Sequence, residues 1–227
     1  MLKVSKGFSL IELVCTLLIL NILVVSAIPK LNSVKTDAVV VTLMNLKGSV
    51  KSANSLVFAK AMLNGNNTNY SEKEFNENWF DDCRTGNCVK IGDLWVYLKY
   101  SYIDRNSSAF ILNADISGLK TKEVQNNGVA LVVPNRGTKK GDPNGICSGG
   151  TCTEHDFCQC RIDDRAAKKI NGRDNQYFVP RFSQYPKLKN DKSLDTSVDY
   201  CYFRYSSAEY ISGYPRKPVY FIEISGC

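Results

Sequence analysis

The sequence predicts an α+β protein, in which a long N-terminal α-helix packs on an antiparallel β-sheet. Three observations predict this class: an apolar run at residues 8–28, apolar residues at helical spacing as far as residue 62, and downstream segments rich in aromatic and β-branched residues. A helix with one apolar face needs a surface that covers it, and the downstream strands can supply that surface.

The composition is that of a folded chain with an added apolar segment. Of 227 residues, 44% are hydrophobic and 22% are charged, which excludes disorder along the whole chain. The formal net charge of +7 is mild and is not concentrated in a basic block, so no specific nucleic-acid binding is predicted. A single histidine, His155, excludes most multi-histidine metal chemistry.

The apolar run at residues 8–28 is long enough to cross a membrane. Its 21 residues rise about 30 Å as a helix, which matches the hydrocarbon thickness of a bilayer. Lys3 and Lys6 precede the run, and basic residues hold their end of a membrane helix in the cytoplasm. We therefore expect the rest of the chain to lie outside the cytoplasm.

The helix is predicted to continue beyond Pro29, with a kink or a locally melted stretch at residues 26–29. Proline removes a backbone hydrogen bond and clashes with the preceding turn. The alternative is a helix that stops at the membrane surface. Continuation is favoured by apolar residues at helical spacing: Leu31, Val34, Ala38, Val41, Leu43, Leu46, Val50, Ala53, Val57 and Ala61.

Six segments are predicted to be strands because aromatic and β-branched residues are enriched in them. They are residues 90–100, 109–116, 129–133, 176–182, 200–205 and 219–224. A turn at Asn126-Asn127-Gly128 favours antiparallel pairing, and the Asn-rich residues 64–69 are interpreted as the loop that leaves the helix.

Three interpretations of the N-terminus are open, and they differ in how they account for the carboxylate of Glu12. A cleaved secretory signal would end at Val25-Ser26-Ala27, but its apolar region would be unusually long and would contain Glu12 and Asn21. A plain membrane anchor fits the length, yet an ionised carboxylate near mid-membrane costs about 2.5 to 3.5 kcal/mol or more. The third interpretation gives this carboxylate a partner.

Residues 6–13, Lys-Gly-Phe-Ser-Leu-Ile-Glu-Leu, resemble the processing site of type IV prepilins and pseudopilins. The resemblance implies that a membrane-embedded prepilin peptidase and methyltransferase cuts after Gly7 and N-methylates Phe8. It also implies that Glu12 meets the N-terminal ammonium of a neighbouring subunit during assembly. A carboxylate that is paired only between subunits turns a desolvation cost into an assembly signal.

The resemblance implies the type IV pilin fold, in which a proline near the position of Pro29 is common. It predicts a leader at residues 1–7, a transmembrane and filament-core half of the helix at 8–28, an amphipathic half at 29–62, and a disulfide-bonded β-rich head at 63–227. A looser resemblance is to the mannose-sensitive haemagglutinin class of type IV pilins. It rests on Thr36-Asp37-Ala38, Leu46-Lys47-Gly48, Ser52-Ala53-Asn54-Ser55, Cys201-Tyr202-Phe203-Arg204-Tyr205 and Ser225-Gly226-Cys227.

Eight cysteines lie beyond the apolar run, in a compartment that oxidises thiols, so disulfides are expected. They are Cys83, Cys88, Cys147, Cys152, Cys158, Cys160, Cys201 and Cys227. A bond between Cys83 and Cys88 would close a short loop. A bond between Cys201 and Cys227 would resemble the C-terminal disulfide loop of type IV pilins. Cys15 is interpreted as a small apolar residue of the membrane helix.

The four central cysteines and His155 allow a second interpretation. Four or five nitrogen and sulfur ligands within 14 residues could hold zinc, although the spacing is not that of a known zinc knuckle. Two disulfides are favoured in an oxidising compartment. A direct bond between Cys158 and Cys160 would be cramped, so each is expected to pair with Cys147 or Cys152. No metal or cofactor is predicted, and His155 is expected on a surface loop.

The sequence therefore predicts a structural subunit of a type IV pilus, with no enzymatic activity. It would lie in the inner membrane as a prepilin and polymerise with identical or related subunits into an extracellular filament, used for adhesion and, if it retracts, for movement. Alternatives are a minor pilin or a secretion-system pseudopilin and, in another class, a membrane-anchored exported binding protein or enzyme. The last of these would not require a partner for Glu12.

Overall fold

The computed structural model describes residues 10–65, 88–112, 114–116, 119, 121–126, 129–134, 147, 150–162, 175–191, 193–211 and 214–227. The chain divides into two compact units, one ending at Val41 and the other spanning Thr42–Cys227. The α+β prediction is confirmed: one long helix is followed by antiparallel sheets.

The helix α1 spans Leu10–Leu63 without interruption. It is helical through Pro29, so the melted stretch that the sequence allowed at residues 26–29 is wrong, whereas the kink stays a prediction. Apolar spacing predicted the far end within one residue. The helix ends in a turn at Asn64 and Gly65, where the Asn64 N–H donates to the carbonyl of Lys60. The rest of the predicted loop, residues 66–69, lies outside the described residues.

A three-stranded sheet follows, formed by β1 (Cys88–Ile91), β2 (Leu94–Lys99) and β3 (Tyr102–Ile103). The single strand predicted at residues 90–100 is wrong, because the chain reverses after β1 and pairs Ile91 with Leu94. Gly92 makes this possible, since its φ of 60° lies in the left-handed region that a two-residue hairpin turn requires.

The strand predicted at residues 109–116 is also wrong. A 3₁₀ helix occupies Arg105–Ser107, turns follow as far as residue 111, and only Ile116 makes an isolated bridge, to Phe157. Turn hydrogen bonds account for the difference, because they use backbone groups that a strand would pair. The N–H of Phe110 donates to the carbonyl of Ser107, and the N–H of Leu112 donates to the carbonyl of Ala109.

Strands β4 (Thr121–Asn126) and β5 (Val129–Pro134) form a hairpin. The predicted strand at residues 129–133 is confirmed, and so is the antiparallel pairing at the predicted turn. Asn127 and Gly128 themselves lie outside the described residues. Strand β4 was not predicted from the sequence, because only one of its six residues is apolar.

The largest sheet has four strands in the order β11-β8-β7-β6, all antiparallel. They are β6 (Phe157–Arg161), β7 (Asn175–Pro180), β8 (Tyr202–Ser206) and β11 (Val219–Glu223), and a separate hairpin pairs β9 (Glu209–Ile211) with β10 (Tyr214–Arg216). The strands predicted at residues 176–182, 200–205 and 219–224 are confirmed, with ends that differ by up to two residues.

From Leu43 onward, α1 presents one buried stripe of side chains to the sheets. Phe58, beside this stripe, stacks on Tyr102 of β3 with the ring centroids 4.8 Å apart. The stripe consists of Leu43, Leu46, Val50, Asn54, Val57 and Ala61. Its last two members form one core cluster with Val89, Val96, Leu98 and Ile103 of the three-stranded sheet.

The four-stranded sheet is covered on both faces. Side chains alternate along a strand, so Tyr205 and Tyr202 of β8 point to opposite faces. The face of Tyr205 meets α1, since the Tyr205 hydroxyl bonds to Asn54. The other face carries a second core cluster, against which the loop after β7 packs Tyr185, Leu188 and Leu194; its buried members are Cys147, Cys152, Cys158, Cys160, Ile162, Tyr177, Val179, Tyr200 and Tyr202.

Candidate assembly segment and the helix–head junction

The first part of α1 is an exposed apolar surface. Leu10–Ile28 is long and apolar enough to cross a membrane, by length and composition alone, and none of it is buried inside the chain. A signal sequence would pass the same test. Leu10 is 81% exposed and Val25 is 71% exposed. Contiguous apolar surface of this extent requires a lipid or protein environment.

The polar side chains in this segment differ in whether they have a hydrogen-bond partner. The hydroxyls of Thr16 and Ser26 donate to the carbonyls of Leu13 and Leu23 on the preceding turn. Glu12 lies in the first turn of α1 and is exposed, and no described residue bonds to its carboxylate. An acidic residue is favoured at a helix N-terminus, where the helix dipole is positive, but that alone does not offset burial in lipid.

The other predicted N-terminal residues are only partly described. Gly7 and Phe8 lie outside the described residues. Pro29 lies within α1. Cys15 carries a free thiol, and its side chain is exposed on the apolar part of the helix.

Asn54 joins α1 to the three-stranded sheet and to the four-stranded sheet through a closed ring of hydrogen bonds. Its Nδ2 donates to the Tyr205 hydroxyl of β8 at 3.0 Å, and its Oδ1 accepts the N–H of Ile103 of β3 at 2.9 Å. The Tyr205 hydroxyl then donates to the Ile103 carbonyl at 2.5 Å. All three residues are buried. The only acceptor of the side-chain amide therefore faces the backbone N–H, which fixes the orientation of the amide.

Burial shifts the titration of the tyrosines at this junction. The pKa of Tyr205 is raised well above 10, chiefly because the ionised phenol would be buried. The half-buried Tyr220 of β11, whose ring lies 5.6 Å from that of Tyr205, has its pKa raised to about 12 for the same main reason. Both phenols are therefore neutral at physiological pH and remain hydrogen-bond donors.

An ion pair lies below the surface of the head. The Lys99 ammonium of β2 is 2.7 Å from a carboxylate oxygen of Glu209 in β9, and the two side chains are 4% and 24% exposed. The pair joins two strands that are 110 residues apart in the sequence. A buried ammonium is tolerated only when it is paired and hydrogen-bonded.

A disulfide joins Cys201, next to β8, to Cys227 beyond β11. The turn that brings Cys227 back depends on Gly226, whose N–H donates to the Tyr200 carbonyl at 3.0 Å. The bond therefore holds the edge strand β11 against β8, which is the arrangement that the pilin resemblance implied.

Two nested disulfides hold the cover of the four-stranded sheet. Cys147 bonds to Cys160, and Cys152 bonds to Cys158, so each cysteine of β6 is linked to the loop that precedes it. The four sulfurs of the zinc interpretation are thereby consumed as disulfides. Cys88 is also disulfide-bonded, while its predicted partner Cys83 lies outside the described residues.

His155 lies at the tip of the loop between Cys152 and Cys158. Its Nδ1 is 2.9 Å from a carboxylate oxygen of Asp115, whose second oxygen accepts the N–H of Asp156. The bond from His155 is the main reason that the pKa of Asp115 lies below its usual value. The single histidine is thus a partly exposed loop residue that ties two loops together.

Sequence reasoning missed Asn54 and Tyr205 at the helix–head junction, and it missed the buried ion pair of Lys99 and Glu209. For Asn54 a signal existed: a short polar side chain lies at a position where the helical period places apolar residues. The three other residues carry no comparable signal, because nothing local in the sequence shows that their side chains are buried together.

An apolar helix that continues as an amphipathic helix and carries antiparallel sheets is consistent with the pilin fold. Residues 2–28 match the family model described as the prokaryotic N-terminal methylation motif. This motif supports a type IV pilin-like or pseudopilin-like protein and implies processing by prepilin peptidase. No curated protein and no solved structure matches this chain.

Proposed function

We propose that this chain is a structural subunit of a type IV pilus. It is inserted in the inner membrane as a prepilin, cut after Gly7, methylated at Phe8, and polymerised through α1 into an extracellular filament that attaches the cell to surfaces. Neither a cofactor nor an enzymatic activity is needed for this role.

One observation carries the proposal: the N-terminal methylation motif at residues 2–28 includes the exposed apolar part of α1 at Leu10–Ile28, and Glu12 is the only charged residue of that apolar part. A membrane covers the apolar surface of a single subunit, and neighbouring helices cover it in a filament. In the filament, the carboxylate of Glu12 also meets the ammonium that cleavage creates at Phe8 of a neighbouring subunit.

The head supports a role outside the cell. Two of its described disulfides tie the loop cover to the four-stranded sheet, the third joins the end of β11 to the start of β8, and disulfides persist in oxidising compartments. A cross-linked β-rich head resists unfolding and proteolysis, which a filament exposed to the surroundings requires.

A minor pilin or a secretion-system pseudopilin remains the second candidate, because the methylation motif is shared with those proteins. The looser resemblance at residues 36–55 and 201–227 supports the mannose-sensitive haemagglutinin class of filament pilins instead. The abundance of the chain in sheared filaments separates the candidates, since a major subunit forms most of the filament mass and a minor one only a small part.

The proposal is tested by the mass and N-terminal residue of the mature chain. N-methylated Phe8 supports it. An N-terminus at Ile28 would indicate a cleaved secretory signal, and an N-terminus at Met1 a plain anchor of an exported binding protein or enzyme. As matched controls, Gly7→Leu should keep the leader, whereas Gly48→Ala, in the exposed middle of α1, should be processed normally.

A further inference from the structure

Asn54 is the one buried polar side chain among the described residues of α1. A polar group in an apolar stripe costs free energy unless all its hydrogen bonds are made, and then it contributes less than a well-packed apolar side chain of similar size. The ring of bonds with Ile103 and Tyr205 removes the cost. Its presence therefore calls for an explanation other than stability.

Three apolar members of the stripe repeat at a spacing that allows a second axial position of α1 along the sheets. Leu43, Val50 and Val57 follow one another at intervals of seven residues. Within this set of three, a shift of the helix by seven residues, about 10 Å at 1.5 Å per residue, would place one apolar side chain where another had been. Apolar contacts, which are not directional, discriminate weakly between such positions.

Asn54 distinguishes these positions. If α1 moved by seven residues, either Lys47 or Ala61 would lie at the junction in its place. Neither side chain has an acceptor, so the N–H of Ile103 would be buried without a partner, and Asn54 would be moved away from the groups that satisfy its amide. Both losses of hydrogen bonding destabilise the shifted position of the helix, and neither occurs in the observed position.

We propose that Asn54 is a register pin, which selects the single axial position of α1 against both sheets of the head. A buried Asn selects the register of paired helices in coiled coils by the same physics. Here the amide forms hydrogen bonds with two different sheets, through Ile103 of β3 and Tyr205 of β8. Both sheets are therefore held at one position along the helix. The inference is independent of the proposed filament.

The test uses the full chain in detergent micelles, with the Phe58–Tyr102 ring contact and the exchange of the Ile103 amide measured by NMR. Asn54→Leu removes the pin and keeps a side chain of similar volume. Asn45→Leu, at an exposed position of the same helix, is the matched control. Lys47→Asn/Asn54→Leu moves the amide by seven residues to a partly exposed position.

We expect Asn54→Leu to fold with two sets of resonances and a weaker Phe58–Tyr102 contact. Exchange at Ile103 should accelerate about 10- to 100-fold relative to Val96, as for a lost buried hydrogen bond. Asn45→Leu should match the wild type. The double variant should regain one set of resonances, with Lys51 instead of Phe58 near Tyr102.

Three results would overturn the pin. The first is a single set of resonances in Asn54→Leu with the Phe58–Tyr102 contact undiminished. The second is a double variant that keeps Phe58 on Tyr102. The third is failure of Asn54→Leu to fold, since the amide would then be required for folding and not for the choice of position.

Discussion

Gly226 lies directly against the backbone of Asp199. A Cβ at Gly226 would approach the Asp199 carbonyl oxygen to 2.4 Å and the Tyr200 nitrogen to 2.8 Å, and backbone atoms cannot yield to it as a flexible side chain would. Glycine is thus required where the chain turns back to place Cys227 beside Cys201.

Gly226→Ala is therefore expected to lower the fraction of chains that close the Cys201–Cys227 disulfide. Losing the bond entirely, which closes a sequence separation of 26 residues, should lower the free energy of unfolding by about 3 to 4 kcal/mol. Non-reducing peptide mapping measures the fraction. Gly48→Ala is the control, because nothing lies within 4 Å of the added Cβ. An unchanged bond in Gly226→Ala would contradict the steric argument.

Glu12→Gln is expected to be made, inserted and cut after Gly7 as in the wild type, but to yield few or no filaments. The amide keeps the size and polarity of the side chain, removes the charge that would meet a neighbour's ammonium, and makes membrane insertion cheaper. Sheared filament yield and mature mass are the measurements. Glu123→Gln, exposed on β4, is the matched control, and a wild-type yield from Glu12→Gln would remove the proposed role of Glu12.

Glu209→Gln is expected to destabilise the head more than the double change Lys99→Met/Glu209→Gln does. The single variant removes the carboxylate from the buried ammonium of Lys99, at a cost of about 1 to 3 kcal/mol, as for a buried group that loses a hydrogen-bond partner. The double variant removes both charges. Chemical denaturation of all four members of the cycle measures the coupling. Equal losses in the single and double variants would show that the two side chains do not depend on each other.

Tyr220 and Tyr205 are expected to ionise at a higher pH than a solvent-exposed tyrosine would in an alkaline absorbance titration. Burial raises both pKa values, that of Tyr220 to about 12, so the folded state holds these protons more tightly than the unfolded state. Their contribution to stability is complete below pH 10; that of Tyr220 is lost as the pH rises through about 12, and that of Tyr205 is lost at a pH well above 10. Tyr220→Phe should remove part of the late absorbance change. An unaltered late phase would contradict the assignment.

The parts of the fold that follow a regular period were predictable. The apolar period predicted α1 to within a residue of Leu63, and enrichment in aromatic or β-branched residues located β5, β7, β8 and β11. Strand β6, Phe-Cys-Gln-Cys-Arg, was not predicted as a strand. Disulfides and neighbouring strands bury it, and its local composition does not reveal these contacts.

The residues of the candidate site were likewise only partly predictable from the sequence. Glu12 stands out in the sequence because a charge in an apolar run needs a partner. The choice between Cys147 and Cys152 as the partner of Cys160 could not be made, since it depends on where two loops pass over a sheet that had not been located. The partners of Asn54 lie 49 and 151 residues away, beyond the range of any local pattern.

The 151-residue separation between Asn54 and Tyr205 also sets an order of events during synthesis. A ribosome adds about 5 to 20 residues per second, so Asn54 is made on the order of 10 to 30 s before the strand that binds it. During that interval Leu46, Val50 and Val57 have no complete head to cover them. The apolar stripe of each newly made helix is therefore incompletely covered until β8 is made, and an aggregation-prone interval precedes completion of the head.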